Sequence, residues 1–226
     1  MAMQKISETR SSDSPFIQSV TRVIYTEESV DIEPPDGNWA IVVIKHQGQI
    51  EVLHTGMVTK PVLLHFEKDD EYIGISFKPS TFLPCLPAKP LVDCGSSLPR
   101  VNKRKFWLGN NAWEIPTFDN AEVLINKLVD DGLLKIDHVV DAILNGMPNT
   151  FSPRSIQRHF IQTTGITLNY FRQIQRAREA SDYLQTGSTP LEAALAAGYY
   201  DQSHMTKSLK KIMGKTPIEI IQSSTR

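Results

Sequence analysis

Two stretches in the second half of the chain decide the fold: SPRSIQRHFIQTTG at residues 152–165 and GYYDQSHMTKSLKKIMGKTP at residues 198–217. Each has the apolar spacing of a short amphipathic helix. A shorter helical run precedes each one, at about 136–144 and 191–197, and a glycine-containing turn lies between the two runs of each pair. The pattern therefore predicts two helix-turn-helix motifs, one after the other.

The first stretch predicts a helix with one buried and one polar face. Phe160 falls on one side of this helix, whereas Arg154, Gln157 and Arg158 fall on the opposite side. Arginine can donate two hydrogen bonds to guanine, and glutamine can pair with adenine. Taken alone, such a face is more typical of a solvated helix. The second motif at the expected spacing makes contact with DNA bases the favoured interpretation.

The second stretch predicts a helix over 202–213 with Lys207 on its outward face. The predicted inward residues are Met205, Leu209 and Ile212. A long helix at about 169–185 joins the two motifs. It would span about 25 Å at 1.5 Å per residue. With its flanking turns, it would hold the two outer helices about one duplex turn apart, roughly 34 Å.

Helix starts are marked by local signals. A hydroxyl side chain before a proline is a start signal, because the hydroxyl caps the helix and proline suits its first position. The three such pairs are Ser152-Pro153, Thr189-Pro190 and Thr216-Pro217. Glu192 and Glu219, three residues after the two threonines, complete predicted capping boxes. Asp119 and Glu122 stand in capping-box spacing and predict a further helix over 121–129.

The charge of the chain is divided unevenly. The 226 residues carry a formal net charge of -1, and residues 150–226 alone carry 10 Lys+Arg against 5 Asp+Glu. A basic C-terminal part favours a nucleic-acid partner. Cys85 and Cys94 are the only cysteines, which is typical of a reduced cytoplasmic protein. No run has the length and apolar character of a membrane span, so we expect no membrane partner.

The first half reads as β structure. Alternating or β-branched runs occur at 39–46, 49–54, 61–66 and 72–77, separated by turn residues. Residues 1–15 are predicted to be a short polar tail. The fold class that follows is α+β with two domains: an antiparallel β barrel or sandwich at 1–116, and an all-α double helix-turn-helix with a long linker helix at 117–226.

The two quoted stretches, with YFRQIQRAREASDYL at 170–184, resemble the DNA-binding domain of AraC/XylS-type transcriptional regulators. The resemblance covers about 119–221, and the β half is similar to the small domain that precedes this unit in one branch of the family. It implies a sequence-specific DNA-binding regulator. It also implies base contacts from the outward residues of the two recognition helices. These residues are Arg154, Gln157, Arg158, Gln202, Ser203, His204, Thr206 and Lys207.

Lys207 and Met205 depart from the arginine and phenylalanine that the family often has, and Ile220-Ile221 departs from its closing aromatic-arginine pair. A lysine is a poorer bidentate reader of a base than arginine, but it binds phosphate.

The partners that we expect are double-stranded DNA and, as further candidates, a small-molecule effector, RNA polymerase and a second copy of the chain. An effector pocket would be lined by aromatic residues of the β half. The candidates are Trp39, Phe66, Tyr72, Phe77, Phe82 and Trp107. The alternative interpretation is that these aromatics are simply core.

Three other functions stay open. In the first, the chain is a regulator gated by a protein partner or by its abundance, and the β domain is purely structural. In the second, it is a β-barrel enzyme fused to a DNA-binding tail. In the third, it is an alkylation-responsive repair protein. His46, His54 and His65 lack the spacing of a metal site, and the two cysteines lack the setting of a reactive pair. We therefore expect no metal, no cofactor and no catalysis.

Overall fold

A computed structural model describes residues 5–224. Strands occupy the first half and helices the second, which confirms the α+β prediction. The strands are β1 (Lys5–Arg10), β2 (Ile17–Tyr25), β3 (Ser29–Glu33), β4 (Trp39–His46), β5 (Gln49–Thr55), β6 (Val62–Phe66), β7 (Glu71–Phe77), β8 (Thr81–Phe82), β9 (Gly95–Ser97), β10 (Lys105–Leu108), β11 (Asn111–Glu114) and β12 (Lys135–Ile136). The helices are α1 (Ala121–Asp130), α2 (His138–Leu144), α3 (Pro153–Thr164), α4 (Leu168–Gln185), α5 (Pro190–Ala196), α6 (Gln202–Ile212) and α7 (Pro217–Ser224).

Six strands form one antiparallel sheet in the order β1-β2-β7-β4-β5-β9. Within the described residues its two edges do not pair with each other, so the sheet is open and not a closed barrel. Three two-stranded ribbons accompany it: β3 with β6, β10 with β11, and β8 with β12.

Side-chain alternation builds the front core. In β4, Trp39, Ile41 and Val43 are buried, while the residues between them are more exposed. They lie against β7, where Trp39 is paired with Phe77 and Ile41 with Ile75. This period of two is what a strand with one buried face requires, and the four predicted strands are confirmed.

The predicted polar tail is wrong for the residues that the structure describes. β1 pairs with β2 from Lys5 opposite Tyr25 to Arg10 opposite Val20. Its side chains are mostly exposed, so its sequence carries no apolar signal. The backbone hydrogen bonds of an edge strand hold it in place instead.

Helix α1 forms where it was predicted but begins differently. Its N-cap is Asn120, whose side chain makes no cap hydrogen bond, so the predicted Asp119 cap is wrong. Glu122 accepts two hydrogen bonds from Arg10, at 2.6 and 2.8 Å. That hydrogen bonding holds the pKa of Glu122 down at about 2.

The buried face of α1 completes the front core. Its Leu124, Ile125 and Leu128 pack with the sheet residues. The division into 1–116 and 117–226 stays a prediction. Helix α1 lies on the C-terminal side of that division but packs against the front core.

The remaining helices, α2 to α7, enclose a second core, which we call the helical core. It contains Phe160, Phe171, Ile174, Leu184 and Leu209, among others. Met57 from the loop after β5 is buried in it at 1% exposure. The helical core therefore includes a buried side chain from the β half of the chain.

Specific hydrogen bonds fasten the helices to the strands. The phenol of Tyr170 donates to the backbone oxygen of Thr59 at 2.9 Å, and the guanidinium of Arg178 donates to the backbone oxygen of Asp36. Both donors are on α4. This helix is therefore in direct contact with the β half at Tyr170 and at Arg178.

Candidate DNA interface

The first helix pair, α2 and α3, is held together by one carboxylate. Asp137 caps α2 by accepting from the backbone nitrogens of Val139 and Val140 at 2.9 and 3.1 Å. Its other oxygen accepts from Nδ1 of His159 and Oγ1 of Thr163 on α3, at 2.8 and 2.7 Å. Burial alone would raise the pKa of Asp137, but these hydrogen bonds hold it below its usual value.

Helix α3 begins at the predicted Ser152-Pro153 signal, and Ser152 accepts from the backbone nitrogen of Ser155 at 3.2 Å. Phe160 is fully buried in the helical core. The three predicted reading residues of this helix are exposed on its first two turns. They are Arg154, Gln157 and Arg158. The arginines are thus outside the core, as base contact requires.

The second pair, α5 and α6, is capped at both starts. Thr189 and Glu192 form the predicted capping box of α5. Asp201 caps α6 by accepting from the backbone nitrogen of His204 at 2.7 Å. Tyr199, in the turn, is 5% exposed and donates its phenol to Ser208 of α6 at 2.9 Å. The turn and α6 therefore form a connected unit.

Helix α6 buries Met205, Leu209 and Ile212, which are the three predicted inward residues. Four of its five predicted reading residues are exposed: Gln202, Ser203, His204 and Lys207. Thr206 is half-buried, and its hydroxyl donates to the backbone oxygen of Gln202 at 2.8 Å. That hydroxyl keeps acceptor capacity for a base but already uses its proton.

Helix α4 is the spacer between the two pairs. It runs for 18 residues, which is about 27 Å at 1.5 Å per residue. Phe171, Ile174, Ala177 and Leu184 fix it in the helical core. Its caps are local, with Thr167 accepting from the backbone nitrogen of Tyr170 at 3.1 Å. The separation of α3 and α6 is therefore set by a helix whose apolar face is anchored in the helical core.

The sequence interpretation missed Asp137 and Tyr199. Asp137 precedes an apolar run, which is a signal for a cap, but its partners on α3 are 22 and 26 residues away. Tyr199 has no local pattern that predicts burial, and its partners lie on α4 and α6.

The six aromatic residues of the predicted effector pocket lie in different places. Trp39 stacks on Phe77 in the front core, with ring centroids 3.9 Å apart. Phe66 and Tyr72 meet edge to face at 4.9 Å, beside Tyr25. Burial raises the pKa of Tyr72 to about 12.

Of the other two, Trp107 is 44% exposed. Phe82 lines a small cavity together with Trp39 and His54, and Thr163 and Thr164 of α3 also line it. The cavity measures about 20 Å³, room for roughly one water molecule. The aromatics therefore act mainly as core, and their role in binding a ligand stays a prediction.

The histidines of the β half are separate from one another. Nδ1 of His46 lies 2.6 Å from a carboxylate oxygen of Asp70, and this hydrogen bond raises the pKa of His46. His54 is buried, and His65 is exposed. Over residues 5–224, no three or more His, Cys, Asp or Glu side chains are grouped as metal ligands would be.

The sequence of residues 150–223 matches the family described as "Helix-turn-helix domain". The match runs from just before α3 to the last turn of α7, so it includes α3, α6 and the spacer α4. Residues 150–223 are an AraC-type helix-turn-helix domain. A domain of this type binds DNA in transcription regulators, and the match covers the C-terminal third of the chain.

The whole chain resembles solved structures of ToxT from Vibrio cholerae. One, from strain O395, is 8% identical, with a TM-score of 0.41 and 98% of each chain covered. A 1.65 Å structure of ToxT is 9% identical, with a TM-score of 0.39, covering 98% of this chain and 97% of that one. A third, ToxT from strain SCE256 with bound unsaturated fatty acid, is 10% identical with a TM-score of 0.37, covering 98% and 97%.

No curated protein sequence matches the chain. Among its described helices, none combines the length and the apolar character needed to span a bilayer.

Proposed function

We propose that this regulator reads DNA sequence by placing α3 and α6 in two successive major-groove segments on one face of the duplex. The supporting observation is the division of each helix into two faces. Phe160 of α3 and Leu209 of α6 lie in one helical core, while the polar residues of both helices are exposed. The spacer α4 packs its apolar face into the same core, so a single molecule presents both reading faces at a fixed separation.

Each outward side chain has a chemical task in this proposal. Arg154 and Arg158 donate pairs of hydrogen bonds to guanine, and Gln157 pairs with adenine. On α6, Lys207 binds phosphate more readily than it discriminates bases, because its ammonium is a point charge without the fork of arginine. The remaining readers of α6 are Gln202, Ser203, His204 and Thr206.

The direct test is selection of bound duplexes from a random pool by the full chain. The expected product is a motif with two elements about 10 base pairs apart, because the major groove returns to the same face once per turn. A single short element, or no enrichment over random sequence, would contradict the proposal.

A cleft between the two halves of the chain is a specific reason to consider a second function, control by a small molecule. The cleft has a volume of about 630 Å³. Its walls are Gln18, Ser19, Asp36, Asn38 and Pro79 from the strand side, and Ile143, Leu144, Leu168, Phe171, Arg172, Gln175, Arg178 and Glu179 from α2 and α4. This volume is in the range of small-molecule sites. We propose that an effector in this cleft changes how α4 presents the two recognition helices.

The coupling follows from the position of the cleft. Arg178 already donates to the backbone oxygen of Asp36, and Gly37 lies against Gln175 and Phe171. An effector can shift the equilibrium between two arrangements only by its difference in affinity for them. A ligand that contacts both walls has such a difference, since the walls belong to separate halves of the chain.

Tryptophan fluorescence tests this second function, because all three tryptophans (Trp39, Trp107 and Trp113) precede residue 117. A compound that shifts this signal should also change DNA affinity. A Gln18→Arg variant, which narrows the cleft, should lose both responses. A Gln49→Arg variant makes the same change at an exposed strand position outside the cleft lining, so it should keep both.

A fluorescence response with unchanged DNA affinity would contradict control through the cleft and favour a purely structural β half. RNA polymerase and a second copy of the chain stay predicted partners.

A further inference from the structure

A second open site lies on the helical half, between α4 and α6, and we call it the basic groove. It has a volume of about 500 Å³. Two helix faces and the turn before α6 line it. The lining residues are Asn169, Arg172, Gln173 and Arg176 of α4, Tyr199 of the turn, and His204, Lys207, Ser208, Lys211 and Ile212 of α6.

The charge of the groove is of one sign. It contains four permanent cations, Arg172, Arg176, Lys207 and Lys211, and its lining includes no carboxylate. None of these four takes part in an ion pair with a described carboxylate. Glu179, the next acidic residue on α4, lines the cleft between the two halves and lies near enough to Tyr199 that burial and this charge together raise the pKa of that phenol. It forms no ion pair with any of the four cations, so within the described residues they have no carboxylate partner in direct contact.

Aromatic rings support two of these cations without neutralising them. The guanidinium of Arg176 lies 5.6 Å from the ring centroid of Tyr199, and the ammonium of Lys211 lies 5.7 Å from that of Tyr170. Both rings are fixed, since Tyr199 donates to Ser208 and Tyr170 donates to the backbone oxygen of Thr59. Cation–π contacts hold a cation in place while leaving its N–H groups available to an anion.

We propose that the basic groove binds phosphate groups of the DNA backbone beside the segment that α6 reads. This inference rests on the proposed function. His204 and Lys207 belong both to the groove lining and to the predicted reading face of α6, so the groove is continuous with that face. A strand whose bases contact α6 then has its phosphates next to the cations of α4.

In this proposal the spacer helix α4 contacts the DNA backbone in addition to holding α3 and α6 apart. Phosphate contacts fix the register of a protein on the duplex but carry no base information. Arg172 and Arg176, one turn apart on α4, would set how deeply α6 enters its groove. Their contribution to affinity should be equal on all sequences.

The experiment measures how the affinity of the full chain for duplex DNA depends on salt concentration. Each phosphate contact contributes about 0.9 to the slope of log K against log[salt]. An Arg176→Gln/Lys211→Gln double variant should lower the magnitude of this slope by roughly 1.8. Its affinity should fall by the same factor on the selected site and on random duplex.

Matched variants separate charge from packing. Lys210→Gln makes the same change next to Lys211, at a position outside the groove lining, and should leave the slope near that of the wild-type chain. Arg176→Lys keeps the charge and should retain most of the slope. A double variant with the slope of Lys210→Gln would overturn the inference while leaving sequence reading by α3 and α6 intact. A wild-type chain without salt-dependent duplex binding would instead overturn the proposed function.

A free phosphorylated molecule has the same chemistry as the backbone, and inorganic phosphate distinguishes the two sources. If the groove serves DNA, millimolar phosphate should weaken duplex binding only as much as its ionic strength does. Phosphate that raises the melting temperature of the wild-type chain but not of the double variant, with an unchanged DNA slope, would overturn the assignment to backbone phosphates. Circular dichroism of each variant establishes that the helices are intact.

Discussion

The carboxylate of Asp137 accepts a hydrogen bond from Nδ1 of His159 at 2.8 Å, and this bond joins the N-terminus of α2 to the middle of α3. The other carboxylate oxygen caps α2. One side chain therefore sets both where the first helix of the pair begins and how the second is oriented against it. The exposed arginines of α3 depend on this arrangement for their direction.

Replacing Asp137 should destabilise the first helix pair. An Asp137→Ala variant loses a helix cap, worth about 0.5–2 kcal/mol, and hydrogen bonds from a charged group, worth about 1.5–3 kcal/mol. Asp137→Asn keeps a good cap and should cost less. Urea unfolding followed by circular dichroism measures both. Asp182→Ala, an exposed position on α4, is the control and should change stability by less than about 0.5 kcal/mol. Equal stability of Asp137→Ala and the control would refute the role of this carboxylate.

Sequence alone predicted the features that depend on near neighbours. The capping box of Thr189 and Glu192 and the alternation in β4 are both visible within a few residues, because their partners are three and two positions away. Each is confirmed.

Features that depend on distant partners were missed. The polar strand β1 is stable only because β2 pairs with it, and Glu122 leaves its predicted capping role because Arg10, 112 residues away, binds it. The basic groove has the same origin, since Tyr199 and the cations of α4 and α6 become neighbours only in the folded helical core. Nothing in local spacing predicts these contacts.

Gly165, which ends α3, should not tolerate alanine. Its φ is +79°, and an added Cβ would lie 2.5 Å from Cγ2 of Val92 and 3.0 Å from the backbone oxygen of Ala88. Gly146 is a matched control, because its φ is +63° but an added Cβ meets nothing within 4 Å. Gly146→Ala should cost only the left-handed conformation, about 1–2 kcal/mol. Gly165→Ala should cost clearly more in urea unfolding, since the backbone of the β half must also move.

Equal losses of stability in the two alanine variants would show that the end of α3 does not pack closely against Val92 and Ala88. A weakened affinity of Gly165→Ala for the selected duplex, measured where the variant is folded, would link this contact to the position of the recognition helix.

His54 should make the chain less stable at mildly acidic pH, because the unfolded chain binds a proton at this residue more readily than the folded chain does. It is 5% exposed, its Nδ1 has no hydrogen-bond partner among the described residues, and burial lowers its pKa to about 4. The unfolded chain, with an ordinary histidine pKa near 6.5, therefore binds more protons between pH 6.5 and 4. The free energy of unfolding should fall as pH decreases through that window, by about 2 kcal/mol between pH 7 and 5.

The measurement is urea unfolding at pH 7 and pH 5 for the wild-type chain and for His54→Phe, which cannot be protonated. The difference between the two proteins isolates His54, because other groups titrate in both. The stability that Asp137 contributes changes over a separate pH range. A carboxylate with a lowered pKa loses its contribution to the free energy of unfolding only as the pH falls below about 4. The same loss in both proteins would mean that His54 is protonated without cost.

Arg158 of α3 should contribute to sequence preference and not only to affinity. Its side chain is exposed on the outward face of α3, so alanine at this position leaves the helical core unchanged. A bidentate contact with guanine is worth about 1–3 kcal/mol of discrimination. Arg158→Ala should therefore weaken binding to the selected site by that amount, with little change on random duplex, in fluorescence anisotropy titrations at fixed salt. Arg104→Ala, in an exposed loop of the β half, is the charge-matched control. An equal loss on both duplexes would assign Arg158 to a phosphate, and the base readers of α3 would then be Arg154 and Gln157.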